Sequence, residues 1–204
     1  MKRAAEEFLN LVRLLPEPEE LLKRAKVFAA IEKKLNKLAG FYENYNDRNS
    51  SRYYWEDGGG QEANIIFRAD GQRNNSILMF AYDHESSFNT YSLEQPQIAF
   101  DSLPTSMRFL LEEEHLKWKW DKSKKRMVYA TAAIWREHGD NDWKFSPTLF
   151  SEFATKGEEG GFIYAFKRFV LPMNLKSISK LYELEDLEDG LDFVIKEALA
   201  KFAY

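Results

Sequence analysis

Apolar residues recur at helical spacing over the first forty positions of the chain. The first stripe consists of Phe8, Val12 and Leu15. A second and longer stripe consists of Leu21, Ala25, Phe28, Ile31, Leu35 and Leu38. Residues three and four positions apart lie on one face of an α-helix, so both stripes predict amphipathic helices. Pro16 separates the two helices, and Gly40 is a suitable C-terminal cap for the second.

Between residues 41 and 150 this spacing gives way to short apolar or alternating runs, which are typical of strands. The runs are Asn64 to Arg68, Ile77 to Tyr82, Met127 to Trp135 and Trp143 to Phe145. Asp70-Gly71 between the first two runs is a hairpin signal, and the polar residues within 41–51 indicate a loop that leads into a further strand at Tyr53 to Trp55. The sequence therefore predicts an antiparallel meander of about four or five strands.

The last quarter of the chain regains helical spacing. Between Phe162 and Val170 the aromatic residues are spaced as on a helix, although those at 162, 164 and 166 also alternate as on a strand. We favour the helix. A terminal helix is expected to start at Asp189 or Gly190.

These patterns predict a single α+β domain, in which N-terminal and C-terminal helices flank an antiparallel sheet. Its parts are a helical segment at 1–40, a sheet-rich segment at 41–150 and a helical segment at 151–204. The 204 residues are 44% hydrophobic and 15% aromatic, which is ample for one core.

Charge and cysteine content narrow the classes of function. The net charge is −4, so nothing in the balance favours the phosphate neutralisation that nucleic-acid binding requires. The sequence has no cysteine, which excludes disulfides, thiolate catalysis and cysteine-ligated zinc, and fits a reducing compartment. The first residues carry acids where a signal peptide would be apolar, and no run approaches the ~18 apolar residues of a membrane span. We therefore expect a soluble, cytoplasmic protein that does not enter a membrane.

Two charged segments could bind a partner. The second helix is basic, with Lys23, Arg24, Lys26, Lys33, Lys34 and Lys37. We interpret these residues as a solvated face whose last lysines complement the helix dipole. The alternative, a surface that binds a small ligand or nucleic acid, would require a continuous basic stripe on the folded protein. The acidic string from Glu183 to Asp189 could contact a basic protein or simply precede the last helix.

A cluster of reactive groups, Asp83-His84-Glu85-Ser86, follows the apolar run that ends at Tyr82. A zinc-protease motif would require a second histidine at position 88, where the chain has Phe88. On a strand, Asp83 and Glu85 would point to one face and His84 to the other, so we predict no metal and no cofactor here. Ser86 lacks the glycine-flanked turn of a nucleophile elbow. The alternative is a hydrolase or metal-assisted enzyme that uses Asp83, His84, Glu85 and Ser86, with Asp57 as a further carboxylate.

The triple glycine in Trp55-Glu56-Asp57-Gly58-Gly59-Gly60 has neither the lysine nor the helix of a phosphate-binding loop and indicates a tight turn. This motif is followed by Tyr82 to Ser86, Leu103-Pro104 and Ala133-Ile134-Trp135-Arg136. That order, over residues 53–136, resembles a set of uncharacterised bacterial proteins, some of which are similar to the small α+β immunity proteins that accompany polymorphic toxins. The resemblance implies kinship but transfers no catalytic residue.

The sequence therefore predicts a non-catalytic binding protein, plausible as an immunity-like protein that neutralises a protein partner such as a basic toxin domain. We expect the binding surface to combine aromatic anchors with the two polar turns. Its expected members are Tyr53, Tyr54, Trp55, Asp57, Asp83, His84, Glu85 and Phe88. We also expect the turn after Trp55 and the turn after Asp83 to lie close together.

Overall fold

A computed structural model gives the fold of this chain. The residues it describes are 2–35, 38–45, 50–70, 73–88, 98–111, 118–119, 126–128, 130–183 and 190–202. The predicted hairpin residue Gly71, the basic residue Lys37 and positions 184–189 of the acidic string lie outside this part of the chain.

Helices precede the first strand and follow the last strand along the chain. The α-helices are α1 (Lys2–Leu14), α2 (Pro18–Lys34), α3 (Thr105–Arg108), α4 (Pro147–Lys156), α5 (Phe162–Phe166), α6 (Leu175–Glu183) and α7 (Leu191–Lys201). Short 3-10 segments cover Ile98–Phe100, Phe109–Leu111 and Lys167–Val170. The region from Phe162 to Val170 is thus helical, as its spacing predicted, and α7 follows Gly190.

The main sheet has six strands, rather than the four or five expected, and every neighbouring pair is antiparallel. The strands of both sheets, over the described residues, are β1 (Leu38–Tyr45), β2 (Ser50–Glu56), β3 (Gln61–Asp70), β4 (Arg73–Asp83), β5 (Trp118–Lys119), β6 (Arg126–Met127), β7 (Ala132–Arg136) and β8 (Lys144–Phe145). The sheet order is β1-β2-β3-β4-β7-β8, while β5 and β6 form a separate pair. The predicted α+β class with an antiparallel sheet is confirmed.

The additional strand is β1, which occupies a region predicted as the end of a helix and a loop. The helix α2 ends at Lys34, and Gly40 pairs with Tyr54 in the sheet and does not cap the helix. Pairing with β2 supplies the backbone hydrogen bonds of this segment, and such non-local bonds outweigh local helical spacing. The apolar run at 127–135 is likewise divided, because Met127 belongs to the small pair and only 132–136 joins the main sheet.

The helix α4 was not identified individually in the sequence, although its ends carry clear signals. Ser146 is its N-cap and accepts a hydrogen bond from the Leu149 amide at 3.0 Å, and Pro147 fills the first turn. Gly157 ends the helix with a left-handed φ of 77°. The helix therefore begins four residues before the predicted start of the C-terminal helical segment at 151.

Phe8 of α1 is central to the aromatic core between the helices and the sheet. Its ring centroid lies 5.3 Å from that of Phe145, 5.0 Å from Phe153 and 5.1 Å from Phe162, all in edge-to-face arrangements. These contacts join α1 to β8, α4 and α5. Edge-to-face pairs place the positive rim of one ring on the negative face of another and so add specific geometry to apolar burial.

A charged pair lies in the same core, between Glu32 of α2 and Arg168 of the last 3-10 segment. Glu32 is fully buried and Arg168 is 4% exposed, and the guanidinium donates a short hydrogen bond to the carboxylate. The hydroxyls of Tyr53 and Tyr182 donate to the two carboxylate oxygens at 2.8 and 3.2 Å. Burial and the adjacent carboxylate raise the pKa of both tyrosines well above its usual value. The network joins α2, β2, α6 and the 3-10 segment through fully desolvated groups.

We expect Arg168→Met to lower the free energy of unfolding by about 3–5 kcal/mol, because it leaves the Glu32 charge buried without its counter-charge. Urea denaturation at neutral pH measures this change. Lys167→Met is the matched control, since it removes the same charge from an exposed neighbour, and it should change stability by less than about 1 kcal/mol. Equal effects of the two substitutions would contradict a stabilising role for the pair.

Candidate functional site

The turn after Trp55 and the turn after Asp83 are in direct contact, as the sequence led us to expect. Register places Gln61 of β3 opposite Asp83 of β4, and the His84 amide donates to the Gly60 carbonyl at 3.2 Å. Gly60 has a φ of +97°, and a β-carbon at this position would lie 2.3 Å from Nδ1 of His84. Only glycine fits both the backbone conformation and the imidazole above it.

A third loop, between α4 and α5, completes this corner and was missed in the sequence. The Thr131 hydroxyl donates to the Gly160 carbonyl at 2.7 Å and accepts from the Asp83 amide at 3.0 Å. Glu158 accepts three hydrogen bonds from the β4 end, namely from Ser86 Oγ at 2.7 Å, Ser87 N at 2.8 Å and Ser87 Oγ at 2.9 Å. We call the three loops, 57–60, 83–87 and 157–161, the acidic corner.

Among the residues of the alternative, catalytic interpretation, Asp83 and Ser86 make hydrogen bonds that order the corner. Asp83 Oδ1 accepts from the Glu85 amide at 3.0 Å, which is the hydrogen bond of an Asx-turn. The Ser86 hydroxyl donates to Glu158 and accepts from the Phe88 amide, so its proton is directed at Glu158. His84 Nε2 lies 3.9 Å from Glu85 Oε1. Within the described residues, no three His, Asp or Glu side chains are placed to hold a metal ion.

Three of the aromatic residues expected on a binding surface lie in the core instead, and that prediction of exposure is wrong. Tyr53 and Trp55 are 0% and 2% exposed, because alternation along β2 turns them towards the helices. Phe88 is 8% exposed and packs edge-to-face on Phe153 with 5.3 Å between ring centroids. Tyr54 is half-buried on the opposite face of the sheet.

Carboxylates and one tyrosine form the outer surface of the acidic corner. The acidic side chains that the three loops contribute are Asp57, Asp83, Glu85, Glu158 and Glu159. Tyr164, on the first turn of α5, is 40% exposed and its ring centroid lies 5.7 Å from that of Trp55. Partial burial, followed by the charge of Asp57, raises the pKa of Tyr164. The corner thus presents an aromatic ring beside negative charge.

A second polar cluster, which the sequence did not suggest to us, lies on the other face of β2 and β3. The Arg52 guanidinium donates to Oδ1 of Asn64, and the Tyr54 hydroxyl donates to Glu56 at 2.6 Å. Glu62 is 7% exposed and pairs directly with Glu56 across the strands. Burial, and then the Glu56 charge, raise the pKa of Glu62 to about 7, although Arg52 opposes the shift. Alternating polar residues, Arg52, Tyr54 and Glu56 on β2 and Glu62 and Asn64 on β3, were the available signal.

No protein-family model matches this chain, and no curated protein or solved structure matches it significantly. The resemblance to immunity proteins therefore stays a prediction. In the part of the chain that the structure describes, no helix is both long and apolar enough to cross a membrane.

We expect Gly60→Ala to destabilise the acidic corner more than Gly58→Ala. Both glycines have positive φ, which costs an L-residue about 1–3 kcal/mol, but a β-carbon at Gly58 meets nothing within 4 Å. The difference in their free energies of unfolding therefore isolates the clash with His84. Combining Gly60→Ala with His84→Ala should recover that difference, and a combination no more stable than Gly60→Ala alone would refute the assigned contact.

The raised pKa of Glu62 predicts a pH-dependent loss of stability. The folded chain binds the proton of the Glu62 carboxyl more tightly than the unfolded chain does. The stabilisation that this proton gives is therefore fully present below about pH 4.5 and is lost as pH rises through about 7. Relative to the unsubstituted protein, Glu62→Gln should therefore gain up to roughly 3 kcal/mol between pH 5 and 8 in urea denaturation.

Glu56→Gln is the informative companion variant for Glu62. It removes the Glu56 carboxylate but leaves Glu62 buried. The pH range over which the stability falls should therefore shift downward and still be present. A stability of Glu62→Gln that runs parallel to that of the unsubstituted chain from pH 5 to 8 would contradict the shift.

Proposed function

We propose that this chain is a non-catalytic binding protein of the immunity-like class, which neutralises a basic protein partner. The observation that carries the proposal is the acidic corner, where three loops contribute carboxylates and the exposed Tyr164 lies close enough to Asp57 for that charge to raise its pKa. Complementary charge accelerates association and disfavours wrong partners, and an aromatic side chain supplies the central contact. Trp55, packed against Tyr164, supports that ring from below.

The hydrogen bonding of the corner favours binding over catalysis. Ser86 and Ser87 donate to Glu158, and Asp83 accepts from the Glu85 amide, which makes the corner a preorganised surface. Preorganisation reduces the entropy lost when a partner binds. The absence of cysteine from the sequence supports a reducing compartment, such as the cytoplasm, as the place of action.

A photo-crosslinking amino acid in place of Tyr164 should capture the partner in the source cell. The captured protein is identified by mass spectrometry, purified, and titrated with the unsubstituted chain by calorimetry at two salt concentrations. We expect a partner with a basic contact surface, an affinity that falls with added salt, and inhibition of its activity by this chain.

Charge reversal then locates the surface. Asp57→Lys with Glu85→Lys should weaken binding at least about tenfold, because like charges then face the partner. Glu19→Lys is the control, because this residue lies near the other end of the sheet. Its neighbour Glu17 forms an ion pair with Arg136 at 2.9 Å, and Arg136 pairs with Ile77, towards the end of β4 opposite to Asp83. Glu19→Lys should bind normally. Failure to capture any partner, or equal loss in the control, would refute the proposed surface.

A further inference from the structure

The strand β1 is an edge of the main sheet, and its outward backbone groups are the feature of interest. In the sheet order β1-β2-β3-β4-β7-β8 it pairs only with β2. Every second residue of an edge strand directs its N–H and C=O groups away from the sheet. Over the described residues, no backbone group outside β2 bonds to residues 39–42. The edge therefore offers donors and acceptors at the spacing of a strand.

The sequence of β1 lacks the features that usually keep an edge strand from pairing. Its register with β2 is regular from Leu38 to Tyr42, and this stretch reads Leu-Ala-Gly-Phe-Tyr, without proline or charge. Natural edges are commonly protected by charged residues, proline, bulges or shortness. The opposite edge of the sheet, β8, has only two residues. Of the two edges, β1 is thus the one suited to a further strand.

A groove of about 640 Å³ opens beside this edge, between β1, α2 and the end of α7. The four consecutive residues 39–42 all line it. Neighbouring side chains of a strand point to opposite faces of the sheet, so a space that meets four residues in a row lies along the edge and not on one face. The groove and the outward backbone groups of β1 therefore adjoin.

Small and aromatic residues shape the groove. The small ones are Ala29 and Ala30 of α2 with Ala39 and Gly40 of β1, and the aromatic ones are Phe41, Tyr42 and Phe202. Small side chains leave the space, and the rings give it apolar walls. A strand added to β1 would direct every second side chain towards the helices, and so towards this space. Bulky apolar side chains at alternate positions suit it.

We propose that β1 binds an extended segment of a partner protein, which adds a strand to the sheet and places bulky apolar side chains in the groove. In this mode of recognition main-chain hydrogen bonds give affinity, and pockets for alternate side chains give specificity. A second copy of this chain is the poorer occupant. Pairing of two β1 strands would keep the helices of both copies on one side of the joined sheet, where α2 of one copy would approach α7 of the other over the groove. The edge shares no residue with the acidic corner, so the inference does not depend on the proposed function.

A displayed library of random linear peptides, selected on the full chain, supplies the probe. We expect the selected peptides to carry apolar or aromatic residues at alternate positions. They should also slow hydrogen exchange of the backbone amides in residues 39–42, as measured by mass spectrometry. A selection that yields no peptide, or peptides that protect only the loops of the acidic corner, would overturn the proposal.

Methylation of the peptide backbone separates strand addition from burial of side chains alone. A selected peptide is made in two forms, each methylated on the amide nitrogens of one of the two alternating sets of residues. The set that faces β1 loses its hydrogen bonds, so that form should bind at least about tenfold more weakly in calorimetry, and the other form should lose less. Equal affinities of the two forms and the parent peptide would overturn the proposed strand addition.

Paired variants of the protein locate the groove. Ala30→Leu should weaken peptide binding at least about tenfold, because the larger side chain occupies the space that the peptide needs. Ala154→Leu is the matched control, since both alanines are half-buried and pack against the core, but only Ala30 lines the groove. Circular dichroism checks that both variants fold. Equal losses of affinity in the two variants would refute the groove as the site.

Light scattering of the peptide-free chain tests the alternative occupant. We expect a monomer whose amides in residues 39–42 exchange faster than they do with peptide bound. A dimer that protects these amides without any peptide would overturn the choice of a partner segment.

Discussion

The buried Glu32 carboxylate is the constraint on which the arrangement of the helices depends. A charge that is removed from water must be paired and hydrogen-bonded, and only the docked positions of α2, β2, α6 and the 3-10 segment supply Arg168, Tyr53 and Tyr182 together. Apolar packing alone tolerates small shifts between these elements, whereas the hydrogen bonds to Glu32 do not. We interpret the pair as a device that selects one arrangement of the core.

The same pair connects the core to the surface. The Arg168 guanidinium lies 4.2 Å from the centroid of Trp55, and Trp55 in turn packs against Tyr164 at the acidic corner. A cation over an indole is a favourable contact where water is excluded. The exposed tyrosine therefore rests on a rigid, charged and aromatic stack, which suits a surface whose shape is fixed before a partner arrives.

A net charge of −4 conceals two surfaces of opposite sign. Loops at the ends of β2 and β4 and before α5 collect carboxylates, while the facing sides of α2 and α7 collect lysines. Charge summed over a sequence describes solubility and long-range attraction, but the location of each charge depends on which elements pack together.

The elements with strong local signals can be predicted from the order of the residues alone. Helical spacing predicts α1, α2 and α5, short apolar runs predict β3 and β4, and the triple glycine after Trp55 predicts a turn. The placement of β1, the burial of Tyr53 and Trp55, and the contacts across the acidic corner depend on how the elements pack against one another. Ser86 and Glu158, which are hydrogen-bonded in the corner, are 72 residues apart in the sequence. Spacing reports which residues share an element face, whereas strand pairing and helix docking bring distant residues together.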